Sequence, residues 1–551
     1  MIHHKKFDVA IIGSGIAGST LAAILAKQGQ RVLVFEANEH PRFSIGESMI
    51  LETSEMMRAI AEFYQIPEIA YFSSENYRSK IGTSHGVKRH FGFWHHTEHE
   101  WHNPDATLQA VIPKEPHGHE LHLYRQDSDY FMMMCAIKYG ATVLQKTAVE
   151  DVDFTDEQVE IIDKKGNRYH ADFVVDAGGF RSILAQKLSL RTHNQQTHSR
   201  GIFTHMINVA PAVEQGENLP FPMHEGTMHH VFDGGWLWVI PFNNFHGATN
   251  PVTSVGLMLD PRKYPQNDLI SAEEEFFQIV KRFPSVYTQL LSATSIRDWV
   301  RAPRIQYGSK QVVGDRWALL GHAAGFIDPL YSKGLYISMA SVFVLAHQLI
   351  KAKDNAISYN RSNFLPLEKL TQNFLKRNDR LVANSYRSWV NPKLWQCYSV
   401  VWLAGAYTEL VKLNTMRASA ANRDEYVEHL TNLELTGGGF SEFFDIANEV
   451  DRIMETTDPY NPNSAKEAEN QIRDILQSIN WLPNPFHDIL DGKTYLPKNK
   501  IRPDIFRRKK GFLGSGNYRD HFFSGASLYQ LVRYGISEKL RHIPFRIAMS
   551  H

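Results

Sequence analysis

The sequence predicts an α/β fold: a doubly wound domain with a parallel sheet, an interleaved mixed β-sheet, and a helical C-terminal region. Three observations predict it. Residues 7–12 form a short apolar run of the kind found in buried parallel strands, and Gly13-Ser-Gly-Ile-Ala-Gly18 follows directly. Strand-like and mixed segments alternate to about residue 340. From about 341 to 480 the strand signals fade and stretches rich in Leu, Ala, Glu and Asn take over. The expected division is therefore 1–345 for the doubly wound domain with its interleaved sheet, and 346–551 for the helical region covering it.

Each element has its own signal. Ser19 to Gln28 has helical composition, and Arg31 to Phe35 is a second β run ending on Glu36. Segments 168–176 and 316–321 read as further strands closing on glycine turns, and a short helix is expected near 526–534. The 551 residues carry 59 Lys+Arg and 59 Asp+Glu, a balance that argues against a dedicated nucleic-acid binder. With 43% apolar and 21% charged residues, disordered and fibrous classes are excluded. Cys135 and Cys397 are too few for a disulfide framework and fit an intracellular compartment. The apolar run from Val9 to Ala26 is broken by glycines, which disfavours a signal peptide and a membrane anchor and leaves a cytoplasmic protein as the expectation.

The glycine motif stands in the context a dinucleotide needs. Gly13 permits the tight turn, Gly15 lets the backbone approach a pyrophosphate, and Gly18 lets helix and strand pack closely. Ile16 and Ala17 open the helix, whose N-terminus stabilises phosphate charge. Glu36 lies 21 positions after Gly15, the spacing that brings a carboxylate to an adenosine ribose. The motif by itself does not choose between FAD and NAD.

Later segments choose. Arg42-Phe-Ser-Ile-Gly-Glu-Ser48, Asp176-Ala-Gly-Gly179 and the Gly314–Gly334 stretch occur in an order that resembles the FAD-dependent aromatic hydroxylase superfamily. Gly235-Trp-Leu-Trp-Val-Ile-Pro241 and Phe326-Ile-Asp-Pro-Leu-Tyr-Ser-Lys-Gly334 resemble the two signatures of flavin-dependent halogenases within it. The resemblance spans about residues 5–345. It implies FAD held by Gly13, Gly15, Ile16, Ala17, Gly18, Glu36, Arg42, Ile45, Gly46, Glu47, Ser48, Arg125, Asp176, Gly178, Gly321, His322, Pro329 and Gly334. It implies chloride or bromide bound by Ser332, Lys333 and Gly334, with Trp236, Trp238, Pro241 and Tyr331 holding the substrate off the flavin. The activity it implies is FADH2- and O2-dependent halogenation of an aromatic ring through a flavin C4a-hydroperoxide, hypohalous acid and an active-site lysine. No second glycine motif is present for a nicotinamide, so the implied partner is a separate NAD(P)H-dependent flavin reductase.

Counting from Ile66-Pro67 makes Lys80 the expected catalytic lysine, with Lys88 as competitor. Tyr331 stands where the tryptophan-type enzymes have glutamate, which favours an electron-rich phenol or pyrrole, free or tethered to a carrier protein. His322 replaces the superfamily's usual Asp. The His95, His96, His99 and His102 run is read as pocket lining or surface, not as a metal site, and Arg507–Lys510 as an exposed basic patch able to dock an acidic carrier. Two other functions stay open: an aromatic monooxygenase of the same fold, and a flavin-binding protein without catalysis.

Overall fold

In the computed structural model, residues 6–114, 118–214, 218–499, 501, 521–522 and 527–541 are described. Arg507–Lys510 lies outside them. The glycine-flanked apolar runs pair as a sheet with strands in the order Val313–Gly314, Trp317–Leu319, Arg168–Asp176, Lys6–Ile12, Val32–Phe35 and Thr142–Leu144. Four of its five pairings are parallel, the one between Val313–Gly314 and Trp317–Leu319 being antiparallel, and a hairpin, Val149–Phe154 and Val159–Asp163, adds to Arg168–Asp176. Lys6–Ile12 lies between strands reached by crossovers in opposite directions. That is the switch point where open α/β sheets bind ligands at their carboxyl ends. The first helix, Ile16–Lys27, starts three residues earlier than its composition suggests, because Gly15 serves as its N-cap.

The second sheet orders Thr294–Ser295, Arg200–Ile207, Thr253–Leu259, Gly235–Pro241, Thr227–Phe232, His90–His96 and Thr107–Val111. Its central strands are buried at every position, since both faces are covered. Trp236, Trp238 and Ile240 face the main core. Leu237 and Val239 face a second core closed by the helices Ala272–Val280 and Pro284–Leu290. A two-stranded ribbon, Gly86–Lys88 with Glu120–His122, sits beside the sheet.

Helix Gly334–Asp354 packs against Ile16–Lys27 and Leu51–Tyr64, so the expected division at 345 falls in the middle of a core helix. Among the described residues it is the one helix long and apolar enough to cross a membrane, and 83% of its apolar window is buried inside the protein. Helices Leu365–Ser388 and Pro392–Ser419 then lie over this core, the latter touching Leu51–Tyr64. The last described helix runs over Leu528–Arg541, beyond the expected end at 534.

Candidate active site

The nucleotide end is built from backbone. Gly13 has φ +103°, and a Cβ there would lie 2.8 Å from the Ala177 carbonyl oxygen. A Cβ on Gly18 would lie 2.1 Å from the Gly13 oxygen, so only glycine lets the turn close. Glu36 is buried and accepts from the Ser14 N–H at 3.2 Å and hydroxyl at 2.8 Å, with Arg42 3.1 Å away. Arg42 holds the Glu36 carboxyl below its usual range, although burial alone would raise it. The buried Nε of Arg42 has no protein partner, and its Nη2 lies 3.7 Å from the position a Gly15 Cβ would take. A glycine cradle, helix N–H groups and a spare guanidinium donor fit the flavin dinucleotide implied by the sequence.

Arg125 pairs with Asp129 at 2.7 Å and donates from Nη1 to the carbonyls of Ile45 at 2.5 Å and Gly46 at 2.9 Å. Asp176 accepts from the Gly178 and Leu184 N–H groups and the Ser182 hydroxyl, so its carboxylate shapes the turn that presents Gly178. Gly321 has φ +56°, and His322 is half-buried and pushed down to about 4, chiefly by desolvation. The imidazole Nε2 lies 2.7 Å from where a Gly334 Cβ would stand, which ties the His322 position to the start of the next helix.

That start is the turn of Ser332, Lys333 and Gly334, following Pro329. Ser332 sits at φ +56°, in the left-handed region. Lys333 is buried, with Nζ 3.1 Å from Glu409 and 3.7 Å from Glu52. Glu409 also accepts from the Tyr336 hydroxyl at 2.9 Å and the Thr436 N–H at 2.7 Å. Desolvation pushes Glu52 up to about 7 despite Lys333, with Glu409 adding to the rise. Tyr331 is buried, hydrogen-bonded to Ser385 at 2.6 Å and stacked on Trp402 at 4.8 Å.

The lysine expectation changes. Lys80 ends the short helix Ser74–Lys80 and is exposed, because its helix lies on the surface. The desolvated amine belongs to Lys88, fully buried at the end of Gly86–Lys88. Its Nζ donates to Ser48 Oγ at 2.8 Å and the Met49 carbonyl at 2.9 Å, and lies 3.3 Å from the centre of the Phe91 ring. Burial lowers it well below a lysine's ordinary value, against the pull of Glu120 and Glu52. Phe91 and Phe93 pack on Trp402 at 5.1 and 5.5 Å, and Phe93 stacks on His229 at 4.4 Å, giving the amine aromatic walls. Segment 45–49 therefore runs from the carbonyls that Arg125 holds to the groups that hold Lys88, with Glu47 pinned to His205 at 2.7 Å on the way.

Trp236 and Trp238 lie 5.7 Å apart on one face of their strand. Trp238 fills the room left by Gly256, where a Cβ would lie 2.0 Å from the indole, and donates to Ser254 at 3.1 Å. Pro241 ends the strand and accepts from His122 at 2.9 Å. The histidine run is spent on local structure: His95 bonds the Trp389 carbonyl, His96 bonds His230 and His102 bonds Thr107, while His99 is exposed. The sequence reading missed Glu52, Glu120, His122, Thr227, Trp402 and Glu409. None stands in a local pattern that marks it.

With this geometry in place, comparisons with known proteins agree on one family. Residues 106–376 match the tryptophan halogenase family, and residues 11–47 match the NAD(P)-binding Rossmann-like domain. The chain is 43% identical over 441 residues to the monodechloroaminopyrrolnitrin halogenase of Pseudomonas fluorescens, covering 78% of this chain and 76% of that protein. It is 38% identical over 495 residues to the tetracycline 7-halogenase of Kitasatospora aureofaciens, covering 87% and 88%. Halogenase PltM, solved in complex with phloroglucinol and FAD, superimposes with a TM-score of 0.84 at 32% identity over 89% of this chain and 99% of its own.

Proposed function

The chain belongs to the flavin-dependent halogenase family, and from that premise we propose that it chlorinates or brominates a phenol or pyrrole ring, with Lys88 carrying the halogen. The observation that carries this reading is the desolvated Lys88 amine over Phe91, whose Trp402 neighbour stacks on a tyrosine and not a glutamate at position 331.

Bound at the glycine cradle, reduced FAD with oxygen supplies the oxidation that turns halide into hypohalous acid. A separate NAD(P)H-dependent flavin reductase supplies the reduced FAD. The 332–334 turn offers backbone N–H groups at the start of a 21-residue helix, a setting suited to an anion. Trp236 and Trp238 fill the space that a direct oxygen transfer to the ring would need, and so keep the aromatic at the Lys88 end. Lys88 Nζ is held by Ser48 and the Met49 carbonyl, and once it has given up a proton the amine carries the lone pair that attacks. Hypohalous acid arriving there forms an N–X bond as the O–X bond breaks and water leaves. The ring carbon then takes X from nitrogen.

Tyr331 is neutral and bonded to Ser385, so it offers no base to an indole. Phenols and pyrroles push enough electron density into the attacking carbon to do without one. This supports the ring class. The enzyme works in the cytoplasm on a small ring, free as the names of the monodechloroaminopyrrolnitrin and tetracycline halogenases suggest or tethered as that of the 1H-pyrrole-2-carbonyl-[peptidyl-carrier protein] chlorinase does.

The test is mass spectrometry of products formed with FAD, a flavin reductase, NADH, air, bromide and a panel of phenols, pyrroles and indoles. A protein-dependent bromine isotope doublet on a phenol or pyrrole is expected. Bromination of indoles alone would overturn the ring class, and a gain of one oxygen indifferent to bromide would make the protein a monooxygenase.

A further inference from the structure

Behind Lys88 runs a buried chain of hydrogen bonds. Lys88 Nζ donates to Ser48 Oγ at 2.8 Å, Ser48 Oγ lies 2.8 Å from Thr227 Oγ1, and Thr227 Oγ1 lies 2.9 Å from His122 Nε2. The other imidazole nitrogen, Nδ1, lies 2.9 Å from the Pro241 carbonyl. All four side chains are buried.

The donors can be assigned without seeing a hydrogen. A carbonyl only accepts, so His122 Nδ1 carries a proton. His122 is neutral, pushed down to about 3, first by burial. Its Nε2 therefore accepts from Thr227. The single Thr227 proton is then used, so Ser48 donates to Thr227 and Lys88 donates to Ser48. Every bond points one way, from the amine to the imidazole.

The backbone holds this geometry. Ser48 and His122 are bridged in antiparallel fashion, and Gly86 and Lys88 pair in register with His122 and Glu120. A Cβ on Gly86 would lie 2.1 Å from the Pro241 oxygen and 3.0 Å from His122 Nδ1, so a glycine leaves room for that end of the chain.

We propose that Ser48, Thr227 and His122 form a proton relay that takes a proton from Lys88 before it picks up halogen and returns it when the halogen leaves. The proposal rests on Lys88 being the halogen carrier. In the first step an N–H bond of the Lys88 ammonium breaks, Ser48 takes that proton, Ser48's own proton passes to Thr227, and Thr227's passes to His122 Nε2. The positive charge is now on His122. Neutral Lys88 then attacks hypohalous acid: the N–X bond forms, the O–X bond breaks, and the departing hydroxide takes an amine proton and leaves as water. The ring's π pair next attacks X, and the N–X electrons return to nitrogen while the proton comes back from His122 along the same chain. Finally the ring proton moves to Lys88 and restores the ammonium. The sum is HOX + ArH → ArX + H2O, with every residue returned to its starting state.

Lys88, His90 and His85 are the groups whose charge bears on His122, and each opposes charging it. The imidazolium therefore forms only as Lys88 gives up its own charge, which ties the relay to the amine. The scheme also supplies the base that Tyr331 does not, because Lys88 itself takes the ring proton. His122 and Thr227 act through Lys88 and are positioning residues.

The experiment compares wild type, Thr227→Val, Thr227→Ser and His122→Asn as full-length protein with FAD, a flavin reductase, bromide and phloroglucinol as probe. Asparagine keeps a donor for the Pro241 carbonyl but cannot take up a proton. Thr227→Val and His122→Asn should lower kcat for bromination by about 10²-fold, the scale of a lost acid–base function, with KM for the ring and the rate of flavin oxidation unchanged. Thr227→Ser should restore kcat, and the solvent deuterium effect on product formation should disappear in Thr227→Val. Wild-type kcat in either Thr227→Val or His122→Asn would overturn the relay, as would parallel loss of flavin oxidation. A Lys88→Ala protein separates the two claims: if it still brominates the ring, the Lys88 reading fails. If it does not while Thr227→Val and His122→Asn do, only the relay fails.

Discussion

Lys88 and Lys333 are both removed from solvent, yet their surroundings push their proton affinities in opposite directions. Lys333 faces two carboxylates, Glu409 at 3.1 Å and Glu52 at 3.7 Å, which raise it above a lysine's ordinary value in spite of burial. Lys88 touches a hydroxyl, a carbonyl and an aromatic ring, and burial lowers it. Burial alone thus does not fix an amine's charge. The formal charge of its direct partners does. Lys333 ties the 392–419 helix to the 332–334 turn, and Lys88 is the amine that the proposed reaction uses as its nucleophile.

The largest break in this comparison is Lys88→Ala. Product formation should fall by at least about 10²-fold while flavin oxidation continues, read by product mass and by oxygen consumption in the same vessel. Lys333→Met should instead strike stability, because it leaves Glu52 and Glu409 buried without their cation. Breaking one side of a buried ion pair costs about 3–5 kcal/mol, so the thermal midpoint should drop by several degrees. A Lys333→Met protein with an unchanged midpoint would mean the ion pair is not what holds these helices.

Glu52 sharpens the contrast through pH. Its folded value, about 7, lies above the ordinary carboxyl value of 4.5. The folded state therefore binds more protons than the unfolded state between those values. The stability this contributes is full below about pH 4.5 and is lost as the pH rises through about 7. Glu52→Gln keeps the side chain neutral throughout, so the fall in thermal midpoint between pH 5 and 8 should flatten, by the equivalent of roughly 1–3 kcal/mol. An unchanged slope would assign that pH dependence to other groups.

The two lysines also show what a sequence can disclose. The nucleotide end is legible because Gly13 to Glu36 folds within one strand–helix–strand unit, where spacing and geometry are nearly the same thing. The paired tryptophans are legible through strand alternation. Counting along the chain from Ile66-Pro67 leads to Lys80 at the exposed end of a short helix, whereas the competing candidate, Lys88, is buried through its pairing with Glu120 across a ribbon, which no count along the chain reveals. Glu409 and Trp402 were invisible for a different reason. Helix Pro392–Ser419 is buried nearly all round, so no polar face singles out the residues that point at the site. The division expected at 345 falls inside one helix, since Gly334–Asp354 has the composition of a helical region but the packing of the α/β core.

The smallest effect belongs to Ser332. At φ +56° a residue with a Cβ carries about 1 kcal/mol of conformational strain that glycine does not. Ser332→Gly should therefore leave the thermal midpoint within a degree or two, the relieved strain offset by glycine's greater freedom when unfolded. If backbone N–H groups hold the halide, the bromide KM should stay within about twofold, because glycine keeps every N–H of the turn. A tenfold rise in bromide KM at constant kcat would make the Ser332 hydroxyl a halide ligand. The turn would then resemble Lys333's surroundings, where side chains hold the charge, more than a helix N-terminus, where the backbone does.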